Sequence, residues 1–243
     1  GNSVDKILSF RDETFKRQTK LMNIDNELSE LHNKIKLHND LSRKKASRLR
    51  ELRIKAADFL DKTMEIELSE LSMANVSFKS CLNKKEEIGR TGFDHVEFLI
   101  SPNPGEALKP LSRIVSGGEM SRIMLAFKGI IADIDKVPVL IFDEIDTGIS
   151  GRTAQVVGEK IRKIAKGHQV VSISHLPQIA ALADTHFAIS KDSGEAGTIT
   201  LVRKLSPEER VEELARLISG ASTTETTLKH AREMLDMSNK VKN

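Results

Sequence analysis

The short apolar run from Val137 to Phe142 stops abruptly at two adjacent carboxylates, Asp143 and Glu144. Only Pro138, near its start, breaks the run. This reads as a parallel strand buried on both faces, with the acids at its carboxyl end, the edge where open α/β sheets hold their ligands. Two acids on a buried strand call for a chemical reason. With a nucleotide at this edge, Asp143 would hold Mg²⁺, through water, and Glu144 would orient or deprotonate the attacking water. Asp146, Thr147 and Gly148 follow as a tight loop into a helix from Arg152 to Ala165.

Two further islands flank this strand. Ser116 precedes Met120, Ile123, Met124, Phe127, Ile130 and Ile131, the spacing of one helix face, so a helix starts at the serine. Ser116 and Glu119 form a capping-box pattern. Gly117 and Gly118 also bring bare backbone N–H groups to the positive end of a helix dipole, an anion seat that a β-carbon would obstruct. Both readings are open on this pattern alone. Gln169 to Ser174 is a second strand, and His175 stands at its end, just before Leu176-Pro177. A lone histidine is more often structural than catalytic. This one gains weight from the edge it shares with Asp143 and Glu144.

The remaining chain carries these islands. From Ile7 the apolar residues recur at Phe10, Leu21, Ile24, Leu28, Leu31 and Ile35, a coiled-coil seam that must bury itself against a partner helix. The register slips near Leu37 and Leu41, where Asn39-Asp40 is expected to interrupt the helix, and an apolar face resumes from Leu49 to Leu71. Strands follow at Val76–Leu82 and Phe93–Ile100, separated by a charged turn around Lys84 to Gly92, and Asn103-Pro104-Gly105 is turn chemistry. After His175 come a short helix to Ala183, a strand at His186–Ser190, a turn at Lys191–Gly197, a strand at Thr198–Lys204, a helix capped by Ser206-Pro207-Glu208-Glu209 and a last helix from Thr224 to Met237. The alternation predicts a parallel sheet flanked by helices, with residues 1–72 as arm and arm–head junction and 73–243 as the globular lobe.

Composition agrees with helical, charge-laced structure: 30% of the 243 residues are charged and 4% aromatic, with no Trp or Tyr. Cys81 is the single cysteine, which excludes an internal disulfide framework and fits a reducing compartment. No apolar run approaches membrane-spanning length, so no membrane partner and a cytoplasmic location are expected. Residues 1–60 hold 14 Lys/Arg against 9 Asp/Glu. The excess sits in Arg43, Lys44, Lys45, Arg48, Arg50, Arg53 and Lys55. Helical spacing scatters these charges around the axis and nothing aromatic is interleaved, so a solvated face is favoured over a phosphate-binding one. The chain begins without Met, inside a helix pattern, and is expected to be cut from something larger.

The ordered set resembles the signature, Walker B, D-loop and switch-histidine series of the ABC-type ATPases. The runs Asn103-Pro104-Gly105-Glu106, Ser116 to Arg122, Phe142 to Gly151, His175-Leu176-Pro177-Gln178 and Leu214-Ala215-Arg216-Leu217 look like the SMC-related branch that acts in bacterial DNA double-strand break repair. The resemblance implies ATP and Mg²⁺ as cofactors, two heads sandwiching two nucleotides, and DNA, at ends or single-stranded regions, as partner. Ser116, Gly117, Gly118 and Glu119 would meet the nucleotide in trans, with the first three at its γ-phosphate. His175 would sense it in cis, and Asp146 would couple the two sites. It also implies a homodimer of heads near the nucleoid. The pattern departs from the family in one respect: there is no Gly-Lys dipeptide, hence no Walker A cradle, and no glutamine loop. The expected partners are therefore an N-terminal Walker A lobe and its outgoing coiled-coil helix, and this chain alone is expected to be inactive. A transporter domain would not carry a heptad arm just before the signature. A helicase would not place a Ser-Gly-Gly-Glu helix 24 residues before its acids. A coiled-coil scaffold with a degenerate head is the alternative from another class.

Overall fold

The computed structural model of the chain describes residues 3–113, 116–132, 134–194, 197–220 and 222–240. The first helix, α1 (Val4–Glu70), runs 67 residues without a break. The interruption expected at Asn39-Asp40 is absent. Each of these residues disfavours helix by at most about 0.7 kcal/mol relative to Ala, both are solvent-exposed, and Leu, Lys and Arg flank them, so propagation continues. The seam residues Ile7, Phe10, Leu21, Ile24, Leu28, Leu31 and Ile35 all stand in solvent.

The described residues fall into two compact units, Gly1–Ala56 with Leu82–Val96, and Ala57–Cys81 with Glu97–Asn243. Strands β1 (Ser77–Gly89), β2 (Gly92–Ser101) and β3 (Lys109–Pro110) form one sheet in that order. The charged turn expected over Lys84 to Gly92 is instead mostly strand: β1 continues to Gly89 and the chain reverses at Arg90-Thr91. Lys84 to Glu87 are all exposed, so their charges stay in water while the backbone pairs. Gly92 takes φ +86, which a side chain disfavours, and an added Cβ would lie 3.3 Å from Leu49 Cδ2. In the first unit Asp94, its side chain fully buried, pairs with Arg50 and Arg53, and Arg53 Nη1 donates to the Thr91 carbonyl at 2.9 Å. Two of the seven cations of the basic run are therefore spent on this hairpin.

The second unit holds the main core, built from Met64 and Leu68 at the end of α1, Leu71 just past it, Phe78, Ile100, and residues of α2 (Gly117–Ile131), β4 (Val139–Phe142) and α3 (Gly151–Ala165). Lys160 of α3 ties it to the last turns of α1 through Glu67 and, at 2.6 Å, Glu70. Strand β5 (Gln169–Ser172) pairs parallel with β4, Val139 opposite Gln169 and Phe142 opposite Ser172. The expected double-sided burial of β4 does not occur. Leu140 and Phe142 are buried, but Ile141 is 69% exposed, because only one face of this two-stranded sheet is covered.

Helix α4 (Pro177–Leu182) leads to β6 (Phe187–Gly194), which was expected to join the parallel sheet. It pairs antiparallel with β7 (Gly197–Lys204) in a separate hairpin, Phe187 opposite Lys204. The turn expected at Lys191–Gly197 begins later, after Gly194, and its tip at 195–196 lies outside the described residues. Helix α5 (Pro207–Ser219) has the full capping box of Ser206 with Glu209 and stops at Gly220, φ 73. Helix α6 (Glu225–Lys240) packs on it through Ala231, Leu214 and Ala215. Among the described residues no helix is long and apolar enough to cross a membrane.

Candidate nucleotide half-site

The site is assembled at the carboxyl ends of β4 and β5 by the amino end of α2. Ser116, extended at φ −82, caps α2 by accepting from the Glu119 N–H at 3.4 Å. The Glu119 side chain does not close the reciprocal half of the capping box, in contrast to Ser206 and Glu209. Gly118 is buried, and a Cβ there would stand 2.9 Å from Thr147 Cβ and 3.0 Å from the Glu144 carbonyl oxygen. At Gly117 it would stand 2.5 Å from Glu144 Oε2. Gly118 thus has a reason within this chain, the close approach of the loop that follows β4, whereas Gly117 faces only the movable end of the Glu144 side chain. Together they leave the Glu144 carboxylate over the positive end of α2, where an anion gains about 0.3–1 kcal/mol.

The loop from Asp143 to Ile149 is closely tied. Glu144 sits at φ 55, one of two non-glycine residues in the left-handed region among those described. Thr147 N–H donates to the Glu144 carbonyl at 3.1 Å and Ile149 N–H to the Asp146 carbonyl at 3.3 Å. Asp143 and Glu144 are exposed, whereas Asp146 is only 3% exposed. Asp146 Oδ2 accepts from Ser174 Oγ at 2.6 Å and from the His175 N–H at 2.7 Å, and lies 3.0 Å from His175 Nδ1. The carboxylate fixes the backbone that presents the imidazole while the ring itself remains 72% exposed. The expected residues are thus brought into two clusters joined by the loop, Ser116 to Glu119 with Glu144, and Asp146 with His175, while the Asp143 carboxylate stands exposed at the start of the loop, outside both.

Sequence reasoning missed the residues that hold this loop on α2. Ser121 Oγ donates to the Asp143 carbonyl at 2.7 Å. Arg122 Nη1 donates to the carbonyls of Thr147 at 2.7 Å and Ile145 at 3.4 Å. Arg122 is buried, and burial pulls its guanidinium below the usual arginine range against the opposing pull of Glu119. Its charge at a buried position of an otherwise apolar helix face was the available signal.

Among the described residues no group of three or more His, Cys, Asp or Glu side chains could hold a metal ion. A lone exposed Asp143 fits Mg²⁺ only as it is commonly held beside phosphates, with one carboxylate, waters and the substrate's own oxygens. A cavity of about 280 Å³ borders Ser116 and Glu119 but none of Asp143, Glu144, Asp146 or His175. The arrangement is an open edge, and its donor set fits a magnesium nucleotide as one wall of a site.

No protein-family model matches the chain. Over its whole length it is 42% identical to the DNA repair protein RecN of Halalkalibacterium halodurans, of which it spans 44%. It is 49% identical over 156 residues to RecN of Bacillus subtilis, covering 64% of this chain and 27% of that protein. With RecN of Vibrio cholerae the identity is 42%, over 78% of this chain and 34% of that protein. Among solved structures, the Smc head domain with a coiled coil and joint from Pyrococcus yayanosii matches 97% of this chain and 38% of its own at a TM-score of 0.55 and 18% identity. The Smc head with an extended coiled coil from Pyrococcus furiosus matches 88% of this chain and 53% of its own, at a TM-score of 0.50 and 21% identity. These two establish the fold: an α/β head lobe preceded by a long coiled-coil helix.

Proposed function

Because the chain belongs to the RecN family, spanning less than half the length of its first relative, we propose that it supplies the C-terminal half of an ABC-type ATPase that repairs DNA double-strand breaks. In this reading residues 1–72 are arm and arm–head junction and 73–243 the lobe. The observation that carries it is the convergence of the α2 amino end, Glu144, Asp146 and His175 on one edge of the β4–β5 sheet.

Mg²⁺·ATP would supply the bond to be hydrolysed and the charge that polarises it. Asp143 is the residue that would hold the metal, through water. Glu144, exposed and carried on a loop that hydrogen bonds immobilise, takes the proton of the attacking water. His175 reaches the γ-phosphate from a backbone position that Asp146 fixes. Ser116, Gly117, Gly118 and Glu119 face the nucleotide of a second head, and Asp146 links the two sites of the homodimer. For the signature to take up that role, the Glu144 carboxylate must yield the seat over Gly117, which its exposure permits.

The phosphate cradle has to come from an N-terminal lobe. Three features support that partner. One edge of β5 has no strand against it among the described residues. One face of the sheet leaves Val139, Ile141, Val171 and Ile173 in solvent. The α1 seam is bare over its first 35 residues, which fits an outgoing helix of the same protein. DNA is the partner that the relatives' name supports, and in this reading it is met at ends or single-stranded regions in the bacterial cytoplasm.

The test is to mix this chain with a separately expressed Walker A lobe and its outgoing helix, then assay Mg²⁺-dependent ATP turnover. The chain alone is expected to show none. Mixing restores it, and Glu144→Gln lowers it at least about 100-fold, as loss of a general base does. A stable complex that never turns over, with or without DNA, would favour a coiled-coil scaffold with a degenerate head instead.

A further inference from the structure

Arg122 is the feature of the site that nothing above employs. It is a cation in the second turn of α2, buried, and without an ion-pair partner among the described residues. A buried guanidinium satisfied by carbonyls alone is an expensive way to fill space, because desolvating a charge opposes folding unless its hydrogen bonds do specific work. Its Nε, also buried, has no hydrogen-bond partner among the described residues. Packing needs of this kind are met more favourably by Leu or Met.

Its hydrogen bonds are selective. With Ser121 beside it, it contacts the carbonyls of Asp143, Ile145 and Thr147, every second peptide of the loop that carries Glu144 and Asp146. Two adjacent side chains of α2 thus fix three alternate points of that loop. The loop in turn holds Ser174 and His175 through Asp146. Displacing the amino end of α2 therefore moves the Glu144 backbone with it.

From this geometry we infer that Arg122, assisted by Ser121, is a positioning residue: it clamps the loop bearing the proposed base to the signature helix, so that contact at one head's signature sets the Glu144 of that same head. The inference rests on the ATPase reading above and adds to it a physical link between the surface presented in trans and the base used in cis.

The experiment uses the complete protein, with its Walker A lobe, in four forms: parent, Arg122→Gln, Glu144→Gln and the double variant. Arg122→Gln is expected to lower kcat at least about tenfold with KM for ATP within about threefold, the pattern of lost transition-state positioning rather than lost binding. The double variant should turn over no slower than Glu144→Gln alone, because positioning a base that is gone has no value. A purely structural role would make the two losses multiply. Ser121→Ala, which removes one exposed hydrogen bond and leaves the core intact, should lower kcat about two- to fivefold, and it decides the matter if Arg122→Gln does not fold. Parent-like turnover in Arg122→Gln, multiplying losses, or unchanged kcat in Ser121→Ala where Arg122→Gln fails to fold overturns the clamp and leaves the ATPase reading standing. Parent-like turnover in Glu144→Gln overturns both.

Discussion

Gly118 and Gly129 lie eleven residues apart on one helix and should respond to the same substitution with opposite signs. A methyl group at Gly118 meets Thr147 Cβ at 2.9 Å and the Glu144 carbonyl at 3.0 Å, and the loop behind both is held by Ser121 and Arg122, so it cannot retreat cheaply. Gly118→Ala should destabilise the chain by about 1–3 kcal/mol, the range for overpacking. Gly129 has nothing within 4 Å of an added Cβ, and Gly129→Ala should stabilise by about 0.5–1 kcal/mol through helix propensity. Urea midpoints for the two variants check this, and shifts of the same sign would show that the packing of α2 against the loop is wrong. The placement of Ser116 to Glu119 at a helix start and of Asp143, Glu144 and His175 at two strand ends was legible, because local residue type and the end of an apolar run suffice to locate them; the chemistry assigned to them is the proposal above. The clamp was not legible, because a hydrogen bond from Arg122 to carbonyls 25 residues away leaves no periodic trace in sequence.

Elements show the same division. Helix starts were legible wherever a local side chain does the work, as at Ser116 and at Ser206 with Glu209. Strand pairing was not. Whether β6 joins β4 and β5 or folds back on β7 depends on long-range partners that composition does not encode, and the pairing it takes is with its sequence neighbour. The reach of β1 past Lys84 depends likewise on tertiary contacts: the hairpin is anchored by Asp94 on Arg50 and Arg53. Replacing Asp94 with Ala leaves two guanidinium groups, each about a quarter exposed, without their carboxylate. It should destabilise the hairpin locally by about 2 kcal/mol, less than a fully buried pair because the arginines reach water. Hydrogen exchange should accelerate across residues 83–96 while amides of α3 and β4 keep their protection. Uniform acceleration of both would mean that the pair serves global rather than local stability.

For the molecule as a whole, what is uncovered matters as much as what is buried. Val139, Ile141, Val171 and Ile173 form an apolar strip on a sheet whose opposite face lies in the core. If the N-terminal lobe covers that strip, Ile141→Asp should abolish assembly with it while leaving the thermal midpoint of the isolated chain within about 2 °C, since surface changes away from special features alter stability by less than about 0.5 kcal/mol. Light scattering of the mixed polypeptides distinguishes the cases, and assembly as tight as the parent's would place the lobe elsewhere. The left-handed backbone of Glu144 has a broader consequence. That conformation costs an L-residue about 1–2 kcal/mol and a glycine almost nothing. A chain selected only for durability would hold glycine at this position, and could lose its carboxylate without penalty to its fold. If Glu144 is the base proposed above, that strain is a cost of stability met for the sake of work, and the first mutation to relieve it would yield a hardier protein that does nothing.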